Sequence, residues 1–181
     1  LRGDGSRSRD HSLLQPTGTF RVRDTTGSPY LQWTKALKSP RFNLAASGVL
    51  NCSIADLNVS LEDIEITGPG LYGYEPLQKA LAQKCGVSQD CIVTAAGTSL
   101  ANYLAIAAVV DPGDEVLIEE PAYEPLLAVA RYLGAEVRRF PRAFRDDFRI
   151  RPAEVERSMT NRTKLIVLTN LHNPSGAMTD E

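Results

Sequence analysis

From residue 91 onward, short apolar runs alternate with stretches of helical periodicity. Residues 92–95, 115–120, 135–140 and 164–170 have the length and β-branched content of buried strands, while 98–110, 124–133 and 152–158 carry apolar side chains at helical spacing. Asp111-Pro112-Gly113-Asp114 reads as a turn, and Gly134 as the stop of the helix before it. Strands separated by helices of this length imply crossover connections, hence an α/β fold with a mainly parallel, buried sheet. The run 100–110 reads as a buried helix, far short of the ~20 residues that a membrane-spanning helix needs.

Upstream the pattern is less regular. Ser28-Pro29 looks like an N-cap followed by proline at the first helical position, and residues 30–38 supply an amphipathic helix that Pro40 stops. A short apolar run at 42–46 ends at Ser47-Gly48, and a Leu/Ile-spaced segment follows at 60–66. Residues 67–73 pack three glycines and a proline into a loop, after which 75–85 reads as a helix with Gly86 as its left-handed cap. Residues 1–28 lack hydrophobic periodicity, begin with Leu, and are rich in Arg, Ser, Thr, Gly and Asp, as expected of a disordered leader. Asp4, Asp10 and Asp24 argue against a transit peptide, a class poor in acids. The expected division is a leader at 1–28, an N-terminal helix and arm that begins a small domain at 29–66, and a larger unit at 67–181.

Composition removes several classes. With 20 Lys+Arg against 22 Asp+Glu, the net charge of −2 advertises no polyanionic partner, so neither nucleic acid nor a membrane is expected. The Arg-rich stretch 138–151, interrupted by Asp146 and Asp147, reads as a solvated surface. Cys52, Cys85 and Cys91 form no CxxC pair and have no histidine at ligand spacing, so no metal site is expected. An odd cysteine count without a secretory leader fits a reducing compartment, the cytoplasm, with the thiols as small buried hydrophobes.

In open α/β sheets, ligands collect at the carboxyl ends of the strands. After the strand at 92–95 comes Ala95-Ala96-Gly97-Thr98-Ser99, where free amides and two hydroxyls at a helix start either cradle a phosphate or simply cap the helix. The G-x-G-x-x-G and Walker A spacings are both missing, so neither a dinucleotide nor a nucleoside triphosphate is indicated. After 115–120 comes Pro121-Ala122-Tyr123, whose ring either stacks on a flat heterocycle or covers the sheet edge. After 164–170 comes Leu171-His172-Asn173-Pro174-Ser175-Gly176, an Asn-Pro turn whose amide could hydrogen-bond a ligand oxygen.

Taken together, these junctions resemble the aspartate aminotransferase superfamily, the fold-type I enzymes that use pyridoxal 5′-phosphate. The resemblance covers about residues 30–181. It is carried by Tyr72-Gly73-Tyr74-Glu75-Pro76, residues 93–99, Asp111-Pro112-Gly113-Asp114, Pro121-Ala122-Tyr123 and Asn173-Pro174-Ser175-Gly176, in the family's order and approximate spacing. It implies a three-layer αβα large domain, of which 67–181 is the N-terminal part. It also implies that Gly97, Thr98 and Ser99 hold the cofactor phosphate, that Tyr123 stacks on the pyridine ring, and that Asn173 hydrogen-bonds the ring hydroxyl oxygen. Tyr72 is the nearest candidate for the tyrosine lent to the neighbouring subunit's phosphate in a homodimer, and Gly48 sits in the place of the substrate loop. His172 is either a packed or a functional histidine. The implied reaction moves an amino group between an amino acid and a 2-oxo acid. Lyases, decarboxylases and synthases of the same fold share these loops, and a noncatalytic α/β ligand-binding module is the alternative of a different class.

None of Lys35, Lys38, Lys79, Lys84 and Lys164 stands in the family's Schiff-base context, so no catalytic residue is assigned. The family's lysine, its aspartate opposite the pyridine nitrogen and its carboxylate-binding arginine all follow the asparagine loop in relatives. The expectation is therefore a fragment, inactive in keto-acid formation by itself. Its first and fourth strands are expected to lack neighbours, with only the second and third paired, which would favour an insoluble or molten chain.

Overall fold

The computed structural model describes residues 28–36, 41–42, 51–68, 70 and 73–179. The leader up to residue 27, Lys38, Gly48 and Tyr72 lie outside the described residues.

The first helix, α1 (Pro29–Ala36), starts as the sequence suggests: the Leu31 N–H donates to the Ser28 hydroxyl at 3.2 Å, an N-cap with proline next in line. It buries none of its residues, but the Glu124 carboxylate tethers it by accepting from the Ser28 hydroxyl and, at 3.0 Å, from the Tyr30 N–H. Residues 51–68 form an exposed arm with two single 3-10 turns, Ile54–Asp56 and Leu61–Asp63. Helix α2 (Glu75–Cys85) ends on Gly86 at φ 67°, where the Val87 N–H reaches back to the Ala82 carbonyl at 3.1 Å, the bond of a Schellman cap.

Then follow α3 (Thr98–Ala107), β1 (Glu115–Glu120), α4 (Glu124–Tyr132), β2 (Glu136–Pro141), α5 (Pro152–Ser158) and β3 (Thr163–Val167). The strands form a parallel sheet in the order β2-β1-β3. Burial explains why β1 lies in the middle. Val116, Leu117 and Ile118 have no solvent exposure, and full burial of such side chains stabilises by roughly 1.5–3 kcal/mol each. Strand β2, at the edge, alternates exposed and half-buried positions over residues 136–139 and fully buries Phe140. On one face of β1, Val116 and Ile118 meet Ile106, Val110, Leu127 and Ala130 from the segments around α3 and α4. The other face carries Glu115, Leu117 and Glu119, all without exposure.

Several expectations need correction. Residues 92–95 form no strand: among the described residues they have no sheet partner, and Val93 is 80% exposed. An extended segment becomes a strand only when a neighbour takes up its N–H and C=O groups. The fourth expected strand, β3, does have a neighbour, since Val116, Leu117 and Ile118 lie opposite Leu165, Ile166 and Val167. A central strand buried on both faces offers both edges to partners. Helix α3 is amphipathic rather than buried, with Ile106 inside and Leu100 and Leu104 at least 40% exposed, because helical spacing turns these two from the face that holds Ile106. All three cysteines are exposed, each lying in the arm, at the end of α2 or in the 3-10 turn that follows it, outside the hydrophobic core. Arg142, placed by sequence in a solvated surface, is 1% exposed because Glu119 draws it inward.

Candidate functional site

The loops that leave the carboxyl ends of β1 and β3, together with the start of α3 and with α1, line an open cleft of about 650 Å³, within the range of small-molecule sites. Thr98, Tyr123 and Asn173 all line it. Thus one residue from each of the three junctions singled out by sequence meets the others in space.

The first junction is an open helix start. Gly97 occupies the N-cap position of α3 at φ 85° and ψ 159°, a backbone conformation open essentially only to glycine, and its N–H folds back on the Ala95 carbonyl at 3.0 Å. No side chain caps α3, so the reading of Thr98 or Ser99 as a simple cap fails. The first-turn amides of the helix point outward with the positive end of its dipole. A methyl group on Gly97 would meet nothing within 4 Å, so backbone conformation and not crowding is what calls for glycine there. Ser99 lies one residue farther along and does not line the cleft, whereas Asn102, one turn beyond Thr98, does.

The second junction places Tyr123 at the N-cap of α4, half-buried, where its ring meets Tyr30 of α1 edge to face at 6.3 Å. The Glu124 tether thus sets the helix that stands over this ring. The third junction is a tightly bonded loop. The Asn170 side chain brackets it, donating to the Thr179 carbonyl at 3.1 Å and accepting the Thr179 N–H at 3.0 Å. His172 is 1% exposed, with Nε2 3.0 Å from the Pro121 carbonyl and Nδ1 2.5 Å from the Ser175 hydroxyl. A carbonyl only accepts, so Nε2 donates to Pro121, while Nδ1 pairs with the Ser175 hydroxyl. This histidine is therefore a packed strut between the second and third loops. The Asn173 side chain is exposed and engaged by no described residue, while its backbone N–H donates to the Thr169 hydroxyl at 2.8 Å.

Beneath the third loop lies a buried ion pair, Arg142 Nη1 to Glu119 Oε2 at 2.7 Å, with neither side chain exposed. Sequence reasoning missed Asn102, Thr169, Asn170 and Tyr30 as lining residues. Asn102 was within reach, since it repeats the position of Thr98 one helical turn on. Among the described residues no lysine lines this cleft; Lys79 is paired with Glu75 at 2.6 Å on the exposed side of α2. No group of His, Cys, Asp and Glu among the described residues could hold a metal ion. No helix among them is long and apolar enough to cross a membrane.

Comparison with known proteins agrees with this geometry. Residues 63–181 match the family model for aminotransferase class I and II. The chain is 31% identical over 117 residues to an aspartate aminotransferase of Sulfolobus acidocaldarius, covering 60% of this chain and 29% of that protein. It is 40% identical over 114 residues to capreomycidine synthase of Streptomyces vinaceus, covering 62% of this chain and 29% of that one. Among solved structures it is similar to a PLP-dependent aminotransferase from Streptococcus suis, with a TM-score of 0.61 and 26% identity, over 67% of this chain and 33% of the other. The chain spans less than a third of the length of the curated relatives it first matches, at 29%, 23% and 29%. On the strength of the family match over most of its length, the chain belongs to the class I and II aminotransferases.

Proposed function

We propose that this chain provides cofactor-holding loops of an enzyme that moves an amino group between an amino acid and a 2-oxo acid with pyridoxal 5′-phosphate. The observation that carries the reading is the convergence of Thr98, Tyr123 and Asn173, from three separate segments of the chain, on one cleft. The residues fit the group. The uncapped first turn of α3, which follows Gly97, and the hydroxyl of Thr98 suit a phosphate, with Ser99 one residue beyond the cleft lining. Tyr123 offers a ring face to a planar heterocycle, and the unengaged amide of Asn173 can donate to a ring hydroxyl oxygen. Bound there, the cofactor supplies an electron sink for the pair released when a bond to the amino acid's α-carbon breaks. The residues of this chain bind and orient; the proton-transferring lysine is not assigned to any of them. Tyr72 and Gly48 belong to the same reading, the first toward the phosphate of a second copy in a cytoplasmic homodimer, the second toward the amino acid.

A second reading within the same fold has one observation in its favour. The relative at 40% identity is named a synthase rather than a transaminase, so the group transferred or bond broken at the α-carbon can differ while the loops stay the same.

Titration of the purified chain with pyridoxal 5′-phosphate, followed by its phosphorus resonance, tests the binding step. Saturable binding that weakens in Asn173→Ala and Gly97→Ala is expected, and binding indifferent to both variants would overturn the reading. Assay of the full-length enzyme for a 2-oxo acid released from an amino acid separates the transaminase from the synthase.

A further inference from the structure

Asn173 does not stand alone at the cleft. Its N–H donates to Thr169 Oγ1 at 2.8 Å, and that hydroxyl donates in turn to Glu119 Oε1 at 2.6 Å. The same carboxylate oxygen takes the Thr169 N–H at 2.8 Å, and the other, Oε2, takes Arg142 Nη1 at 2.7 Å. A hydroxyl has one proton. With that proton given to the carboxylate, the Thr169 oxygen is left as an acceptor facing Asn173, so the direction of the whole chain of bonds is set by the charge on Glu119.

Arg142 holds the surrounding loop as well. It donates to the Phe148 carbonyl at 2.6 Å, to the Thr169 carbonyl at 3.3 Å and, more weakly, to the Thr179 hydroxyl at 3.4 Å, so that one guanidinium touches both ends of the segment 169–179. Phe148, whose φ of 55° is left-handed, lays its ring 5.6 Å from that of His172, the neighbour of Asn173. A simple contribution to stability explains this arrangement poorly, because a buried ion pair is often no better than two well-packed apolar residues. Two apolar side chains, however, could not accept the Thr169 N–H and hydroxyl together. A site amide also has to be held to a fraction of an ångström to be effective.

We propose that Glu119, Arg142 and Thr169 are positioning residues for Asn173: the buried ion pair orients the Thr169 hydroxyl, which fixes the backbone of Asn173 and so the direction of its amide toward the cofactor. This inference rests on the assignment of Asn173 as a cofactor ligand. The test uses the full-length protein without cofactor in four forms: Thr169→Val, Thr169→Ser, Asn173→Ala and the Thr169→Val/Asn173→Ala double variant. Two quantities are measured, the hydrogen-exchange rate of the Asn173 N–H by NMR and the Kd for pyridoxal 5′-phosphate by quenching of intrinsic fluorescence. Thr169→Val, of nearly the same shape, is expected to speed exchange at Asn173 and to weaken cofactor binding, each by about tenfold, the scale of one lost hydrogen bond. Thr169→Ser keeps the hydroxyl and should stay within about twofold of the parent in both, well inside that margin. In the Asn173→Ala background the valine substitution should add nothing to the loss of affinity. Unchanged exchange in Thr169→Val, or the same loss of affinity with and without Asn173, would overturn the proposal while leaving Asn173 a ligand. Parent-like affinity in Asn173→Ala would overturn the ligand assignment and the proposal with it.

Discussion

Glu115 and Glu119 lie on the same face of β1, both without solvent exposure, yet their carboxylates are held in different ways. Glu119, toward the carboxyl end, has both oxygens engaged, one by Arg142 at 2.7 Å and the other twice by Thr169. Glu115, at the amino end, has one oxygen bonded to the Thr160 and Thr163 hydroxyls and a second without a hydrogen-bond partner among the described residues. Its nearest guanidiniums, Arg138 and Arg162, stand 3.7 Å away and are about half exposed. The difference follows from what each charge is attached to. The Glu115 network closes the turn that feeds β3, away from the cleft. The Glu119 network closes the loop that leaves β3, at the end of a parallel sheet where ligands collect. Full satisfaction of a buried charge is therefore found where geometry has to be exact.

The largest effect should come from breaking the tighter of the two. Arg142→Met leaves Glu119 buried without its cation, which typically costs about 3–5 kcal/mol. The drop should appear in urea unfolding, and much of it should return in the Glu119→Leu/Arg142→Met double variant. A loss below about 1 kcal/mol, the level of an exposed pair, would erase the contrast between the two ends. Next in size is a pair of glycines, one at each end. Gly97→Ala forces an L-residue into a glycine-only conformation, at about 1–3 kcal/mol, without a clash. At the amino end, Gly134 has φ 86°, and an added methyl would lie 3.2 Å from Pro112 Cβ, so alanine there meets both strain and crowding. Both variants should lower the melting temperature, but only Gly97→Ala should also weaken binding of pyridoxal 5′-phosphate. Equal effects on affinity would remove Gly97 from the site.

What could be read from sequence divides along the same line. The bounds of β1, α2 and α5 match the periodicity residue for residue, and Gly86 and Gly134 stop their helices as expected, because these features depend on near neighbours in the chain. Thr98, Tyr123 and Asn173 were reachable too, since each directly follows a strand-like run and strand ends are where chemistry gathers. The partners of those residues were not. Pairing of β3 with β1, the inward turn of Arg142 and the edge-to-face contact of Tyr30 with Tyr123 each join residues far apart in the chain, and no local pattern announces them. The unpaired course of 92–95 was missed for the converse reason: an apolar run signals a strand only if a neighbour is there to receive it.

The third test concerns acid. The Thr163 hydroxyl bonded to Glu115, followed by the bond from Thr160 and the nearby Arg138 and Arg162, holds its carboxyl below the ordinary 4.5, although burial works against this. A folded-state pKa below the unfolded one means stability that is present above the unfolded value and lost as pH falls through the folded one. The urea midpoint should thus decline on acidification below about pH 4.5, and Glu115→Gln should start lower at neutral pH and decline less. Parallel curves for the two proteins would show that Glu115 is not what titrates.

The smallest effect should come from Arg162→Ala. Its guanidinium bonds Glu136 at 2.7 Å, but both side chains are more than half exposed, where solvent and salt screen the pair. The urea midpoint at neutral pH should not move measurably. Arg162 also stands 3.7 Å from the unbonded oxygen of Glu115, and its charge is the last among the causes that lower that carboxyl. Removing it should make the acid-induced loss slightly smaller and complete at a slightly higher pH, by less than removal of the Thr163 hydroxyl in Thr163→Val does. If Arg162→Ala instead destabilised the protein as much as Arg142→Met, the half-exposed cations at the amino end would bind their glutamate as firmly as the buried one does at the carboxyl end, and position along β1 would no longer account for the difference.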